Sequence, residues 1–174
     1  MALVVFLRGV NVGGHRTFSP SALVKALKLD AVNIGAAGTF VVRKPVPREK
    51  LHAELARRLP FDADVMICDG SEIRRLASAD PFAGQPAGPT IMQFVSVMAA
   101  RKALVPAVPL AIPSAGEWGL KVLDVQGRFV IGVCRREMKG IAYLGQLEKI
   151  LAMRLTTRSW STILKIARTL EASR

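Results

Sequence analysis

The first 68 residues alternate between apolar runs too short for buried helices and stretches with helical spacing. Ala2–Leu7, Ala31–Gly35, Thr39–Arg43 and Ala63–Cys68 are the short runs, and apolar runs of this length bounded by turn signals read as strands. Between the first two, Ser19 offers an N-cap hydroxyl and Pro20 a first helical residue. Leu23, Ala26 and Leu27 then form an apolar stripe to about Leu29. Pro47 opens a second helix, in which Leu51, Leu55 and Leu59 recur every four residues, and Pro60 ends it. The resulting order, β-α-β-β-α-β, is that of a ferredoxin-like unit.

A second block follows. Ser71 is expected to cap a short helix carrying Ile73, Leu76 and Ala77, which stops before Asp80-Pro81. "PFAGQPAGP", Pro81 to Pro89, has linker chemistry. Thr90–Met98 reads as a strand, and Trp118–Asp124 with Arg128–Cys134 reads as a hairpin around Gln126-Gly127. "PAVPLAIPSAG", Pro106 to Gly116, holds three prolines and cannot form a regular helix. Gly145–Arg154 has helical spacing. A last helix is expected from about Arg158 to Glu171, with Trp160, Ile163, Leu164, Ala167 and Leu170 on one face. The pattern predicts an α+β chain of two ferredoxin-like (βαββαβ-type) subdomains in one compact chain. Residues 1–80 form the first, 81–89 the linker, and 90–174 the second with the C-terminal helix.

Composition excludes several classes. Hydrophobic residues make up 51% of the 174, far from the low hydrophobicity of disordered chains. No apolar run approaches the ~18 residues of a membrane helix. No basic segment precedes the Ala2–Leu7 run, so no signal peptide is expected. Cys68 and Cys134 are too few for a disulfide framework and suit reduced thiols in a cytoplasmic protein. With only His15 and His52 besides, no zinc pattern arises, and no metal or cofactor is expected. Net charge is +12. Residues 1–60 carry ten basic and three acidic side chains, and residues 135–174 carry nine and three, while the middle is close to neutral. Such an excess favours anionic partners.

The candidate site lies in "LRGVNVGGHRT", Leu7 to Thr17. Gly9 and Gly14 have the glycine spacing of a P-loop, but His15-Arg16 stands where that motif needs Lys-Ser/Thr. No GxGxxG is present either. Gly13-Gly14 could instead turn backbone N–H groups outward into an anion-accepting nest, flanked by Arg8 and Arg16. A second cationic turn is expected in "TTRSW", Thr156 to Trp160, with a threonine N-cap and Arg158 in the first turn of the last helix. There an anion could bind both amides and guanidinium. The 8–16 loop and the 156–160 helix start are expected to form one basic cleft in which Arg8, Gly9, Asn11, Gly13, Gly14, His15, Thr157 and Arg158 bind the ligand, and the expected partner is a phosphate-bearing small molecule or nucleic acid. Three other readings stand beside this one. A nucleic-acid binder fits the charge, although one tyrosine and no aromatic-basic strand motif argue against the RNA-recognition kind. An enzyme could use His15 as general acid or base. A partner-binding module could use the Pro-rich stretches as contact loops. "GAAGT", Gly35 to Thr39, permits a close backbone approach by a neighbouring element or a ligand.

"FLRGVNVGG" (Phe6–Gly14), "DPF" (Asp80–Phe82) before a strand, and "LTTRSWSTILKIA" (Leu155–Ala167) together resemble the DUF1697 family of bacterial proteins of unknown function. The resemblance implies two ferredoxin-like subdomains and carries no reaction with it. The family's motif residues fall on Arg8, Gly9, Asn11, Gly13 and Gly14, and on Thr156, Thr157, Arg158 and Trp160. Where members usually show Gln-Ser-Gly-Asn, this chain has Ala36-Ala37-Gly38-Thr39. The resemblance therefore implies a turn stripped of most of its polar side chains.

Overall fold

A computed structural model describes residues 1–101, 104–136 and 140–172. The chain is α+β, with two antiparallel sheets and, among the described residues, five helices. It divides into two compact units: Met1–Ala79 with Thr162–Arg174, and Asp80–Ser161.

The first unit runs β1 (Leu3–Leu7), α1 (Pro20–Leu27), β2 (Ala31–Gly35), β3 (Thr39–Val42), α2 (Arg48–Arg58), β4 (Val65–Asp69) and α3 (Gly70–Ser78). Its sheet order is β2-β3-β1-β4, antiparallel throughout. Every residue of the central strand β1 is buried. Leu3, Val5 and Leu7 of this strand pack with Leu23 and Leu27 of α1 and Leu51 and Leu55 of α2. Local chemistry sets the ends of α1. The Ser19 hydroxyl accepts from the Ala22 amide at 3.3 Å, Pro20 opens the helix, and Lys28 closes it in the left-handed region at φ 52°.

The second unit contains β5 (Ile91–Met98), β6 (Leu110–Ile112), β7 (Leu120–Gln126), β8 (Phe129–Arg135), α4 (Gly140–Leu151) and β9 (Leu155–Ser159). Its sheet order is β6-β7-β8-β5-β9. Setting aside the edge strand β6, the order β7-β8-β5-β9 repeats that of the first sheet. The Pro-rich stretch and β6 occupy the place that α1 holds in the first unit. Phe94, Met98, Leu120, Val122 and Val130 of the sheet pack with Leu147 and Leu151 of α4.

Two expectations change at the joints. The last helix, α5 (Trp160–Glu171), does not start at Arg158, because Leu155–Ser159 is the edge strand β9 paired with β5. Thr156 and Thr157 are β-branched and suit a strand better than a cap. The cap of α3 is Asp69 rather than Ser71: strand β4 runs straight into the helix, and Asp69 and Glu72 form a capping box. Residues 162–174 group with the first unit, not with the segment they follow in sequence. There the apolar stripe of α5 meets the β4–α3 joint, and a Cβ on Gly70 would stand 2.8 Å from Leu170 Cδ2 and 3.2 Å from the Ala2 carbonyl.

The capping box can be tested by substitution. Glu72 Oε2 accepts from the Asp69 amide at 3.0 Å. Glu72→Ala is expected to lower the unfolding free energy by about 1 kcal/mol, and Glu72→Gln, which keeps an acceptor, by clearly less. Urea unfolding of both variants measures the difference.

Candidate functional site

β1 leads directly into the glycine-rich loop. The Leu7 amide donates to the Gly38 carbonyl at 2.8 Å and the Arg8 amide to the Asp64 carbonyl at 3.0 Å. Arg8 Nη1 also stands 3.5 Å from Asp64 Oδ2. Beyond this anchor the backbone is left-handed at Gly9, Asn11, Gly13, Gly14 and Arg16, with φ of 67°, 53°, 57°, 74° and 48°. The loop is a miniature hairpin. Val12 bridges His15, whose amide donates to the Val12 carbonyl at 3.0 Å, and the Asn11 amide donates to the Arg16 carbonyl at 3.2 Å. Gly13 and Gly14 are its two central residues, both at positive φ as a type I′ turn requires. Nothing lies within 4 Å of a Cβ built on Gly14, so backbone conformation and not space calls for glycine there. The His15 amide is used within this turn.

Asn11 holds the hairpin in place. Its Nδ2 donates to the Ala36 carbonyl at 2.7 Å, and its Oδ1 accepts from the Phe18 amide at 2.9 Å. Asparagine is also one of the few non-glycine residues that tolerate the left-handed region. The β2–β3 turn that receives this bond is braced twice more. Lys165 Nζ, on α5, donates to the Ile34 carbonyl at 3.3 Å. Gly38, at φ 69°, leaves no room for a side chain, because a Cβ would stand 2.8 Å from Val10 Cγ2 and 2.9 Å from Leu7 Cβ. "GAAGT" is thus a packing turn at Gly38, while Gly35, Ala36 and Ala37 are exposed.

The hairpin tip faces solvent from Val12 to Arg16, and Val12 is 60% exposed. The Arg16 guanidinium lies 6.0 Å from the Phe61 ring centroid, and Phe61 packs edge-on against Phe18. The structure therefore brings Arg8, Gly9, Asn11, Gly13, Gly14 and His15 onto one excursion of the first unit. Thr157 and Arg158 lie in the second unit on β9. Thr157 Oγ1 bonds Ser96 Oγ at 2.6 Å. Arg158 is 8% exposed, and its Nη1 donates to Thr156 Oγ1 and to the Thr157 carbonyl, both at 2.9 Å. Burial pulls its pKa down to about 10, which still leaves it charged at neutral pH. The expected cationic helix start is therefore a buried strand position. Among the described residues no group of His, Cys, Asp and Glu could hold a metal ion. Both cysteines are free and buried, and burial pushes the Cys134 thiol up.

Two features escaped the sequence reading: the contact between the opening loop and the β2–β3 turn, and the part played by Lys165. The second had a signal, a lone cation inside "TILKIA" between the buried Ile163 and Ile166.

The two kinds of glycine are expected to respond differently to Ala. Gly14→Ala is expected to cost about 1 kcal/mol for conformation alone, whereas Gly38→Ala adds an overpacking cost of about 1–3 kcal/mol. Asn11→Ala loses two hydrogen bonds and is expected to cost about 2 kcal/mol. Denaturant unfolding of the three variants measures this ranking.

Among curated proteins, none matches this chain. A conserved bacterial protein from Streptococcus pneumoniae has a similar structure, with a TM-score of 0.59 and 16% sequence identity. The similarity covers 97% of this chain and 98% of that one, and it shows a shared fold. A family profile described as "Protein of unknown function (DUF1697)" matches residues 1–111. That span contains the opening hairpin and the β2–β3 turn, and it ends ahead of "LTTRSWSTILKIA". The chain belongs to the DUF1697 family.

Proposed function

We propose that this protein binds phosphate-bearing anions at the opening hairpin of its first unit. One observation carries the reading. Five of the nine residues from Arg8 to Arg16 hold left-handed backbone, and Asn11 ties that conformation to the β2–β3 turn. Backbone held in sparsely populated regions clusters at functional sites, where surrounding structure maintains it. Here the outcome is a rigid tip presenting His15 and Arg16 to solvent, in a chain of net charge +12. A tip fixed before the ligand arrives loses little entropy on binding. The ligand is a phosphate-bearing small molecule or a nucleic-acid backbone. Binding is favoured over catalysis, because no carboxylate is hydrogen-bonded to His15 among the described residues to orient it as a base.

The sheet order β2-β3-β1-β4 supports reading the first unit as ferredoxin-like. The order β7-β8-β5-β9 supports the same for the second, with its first helix replaced. The free, buried cysteines support a reducing, cytoplasmic setting. Among the described residues no helix is long and apolar enough to cross a membrane.

Two measurements divide the ligand classes. A thermal-shift screen of nucleotides and sugar phosphates is expected to raise Tm for at least one, since a ligand that binds the folded state stabilises it. Anisotropy with a labelled single-stranded oligonucleotide tests the backbone alternative, and Arg16→Ala is expected to reduce the salt slope by about 0.7 if Arg16 contacts a phosphate. No thermal shift with any phosphate compound, together with no oligonucleotide binding at low salt, would overturn the proposal.

A further inference from the structure

The second unit contains a cavity of about 370 Å³ lined by Thr90, Ile91, Arg135 and Arg136. It forms where the start of β5 meets the end of β8. Ile91 pairs in register with Arg135, and the Arg136 amide donates to the Thr90 carbonyl at 2.8 Å. Two consecutive arginines thus reach one cavity at a strand end. Its volume is within the usual range of small-molecule sites, about 300–1,000 Å³.

The two arginines are held differently. The Arg135 amide donates to the Gly119 carbonyl at 2.8 Å, and its guanidinium lies 5.0 Å from the Trp118 ring centroid. Lys121 Nζ stands 5.1 Å from that same ring. Arg135 Nη1 pairs with Glu117 Oε1 at 2.5 Å. Its Nε is buried and has no hydrogen-bond partner among the described residues. A buried donor left unsatisfied is costly, and Nε with Nη2 is an edge of the guanidinium that can grip two oxygens of an oxyanion. Arg136 is exposed and makes no ion pair among the described residues. Among the described residues, Lys121, Arg135 and Arg136 against Glu117 give this cluster two positive charges in excess, which matches a phosphate dianion better than a single carboxylate.

We propose that this cavity is a phosphate-binding site of the second unit, with Arg136 as the entry cation. The Nε/Nη2 edge of Arg135 is the bidentate grip. A small rotation of the Arg135 side chain on the Trp118 ring brings that edge to an incoming phosphate and gives Nε its acceptor. The ligand is a small molecule with one terminal phosphate, its organic part resting on Ile91.

Trp118 supplies a readout specific to this site. The chain has two tryptophans, and the other, Trp160, is buried against Phe82 with ring centroids 5.1 Å apart. Titration of the full chain with inorganic phosphate is expected to change tryptophan emission saturably. Trp118→Phe should remove the change, and the hairpin variant Arg16→Ala should leave it intact. Arg136→Ala, at an exposed position, is expected to weaken binding at least about tenfold, with an unaltered circular dichroism spectrum. Arg135→Lys, which keeps the charge but loses the planar edge, should also weaken it. No saturable change would overturn the proposal. So would an equal response to chloride at matched ionic strength, or a wild-type midpoint in Arg136→Ala. Oligonucleotide or nucleotide binding that persists when the Trp118 signal is absent would sink this proposal alone and leave the hairpin reading standing.

Discussion

The hydrogen bond from Asn11 Nδ2 to the Ala36 carbonyl joins the opening hairpin to the β2–β3 turn. Without it, a hairpin of six residues beyond β1 would be a tether rather than a scaffold. Isolated two-stranded hairpins are marginal in water, and this one contains a single bridge, Val12 to His15. Asn11 therefore does three things at once. It occupies left-handed backbone, donates across to the β2–β3 turn, and accepts from the Phe18 amide where the chain leaves the hairpin. Gly38 makes the same junction tight from below, since any side chain there would collide with Val10 and Leu7. Rigidity at the tip is inherited from the buried central strand.

The two sheets share a strand order but use it differently. In the first unit the connection after the central strand is the hairpin followed by α1, and the sequence between Leu7 and Pro20 is free to become an exposed excursion. In the second unit the corresponding connection is Pro-rich and adds the edge strand β6. Proline has no amide donor and resists helix, so that connection adds to the sheet edge where a helix would otherwise cover a face. The second unit consequently places its cationic cluster elsewhere, at the end of β8 beside the start of β5.

Most of the first unit's elements were legible in the sequence, because each carries a local signal: Ser19-Pro20 for α1, the Leu51-Leu55-Leu59 spacing for α2, short apolar runs for the strands. The misplaced boundaries fall at two joints of one kind. At Asp69-Gly70 and at Ser159-Trp160 a strand passes into a helix with no intervening turn. Gly70 opens its helix instead of making a turn, and the second joint has neither glycine nor proline, so Ser71 and the threonines at 156–157 looked like caps. The site was less legible for a different reason. Asn11 meets Ala36 across 25 residues of sequence, and Lys165 meets Ile34 across 131. No local periodicity encodes contacts of that range. The glycines at 13 and 14 could be recognised as turn residues, but which turn they made depended on where Val12 and His15 paired.

Charge illustrates the same point most sharply. Two of the arginines that the sequence singled out, Arg8 and Arg158, are engaged within the fold. Arg8 faces Asp64, whose carboxylate comes from the segment just before β4. Arg158 is buried beside Thr156 on an edge strand. Exposed ion pairs such as Arg8–Asp64 add little to stability, about 0–1 kcal/mol, yet they decide which cations face a ligand unopposed. Arg48 with Asp69, and Arg57 and Arg58 with Glu54, are paired in this way as well. A net charge of +12 therefore says that anions are attracted, while the acidic residues, fewer and fixed by the fold, select where they are met. In the first unit Arg16, on the exposed hairpin tip, is one of the cations outside these pairs. In the second unit Arg136 is another, and its neighbour Arg135 pairs with Glu117 and, among the described residues, keeps one donor without an acceptor.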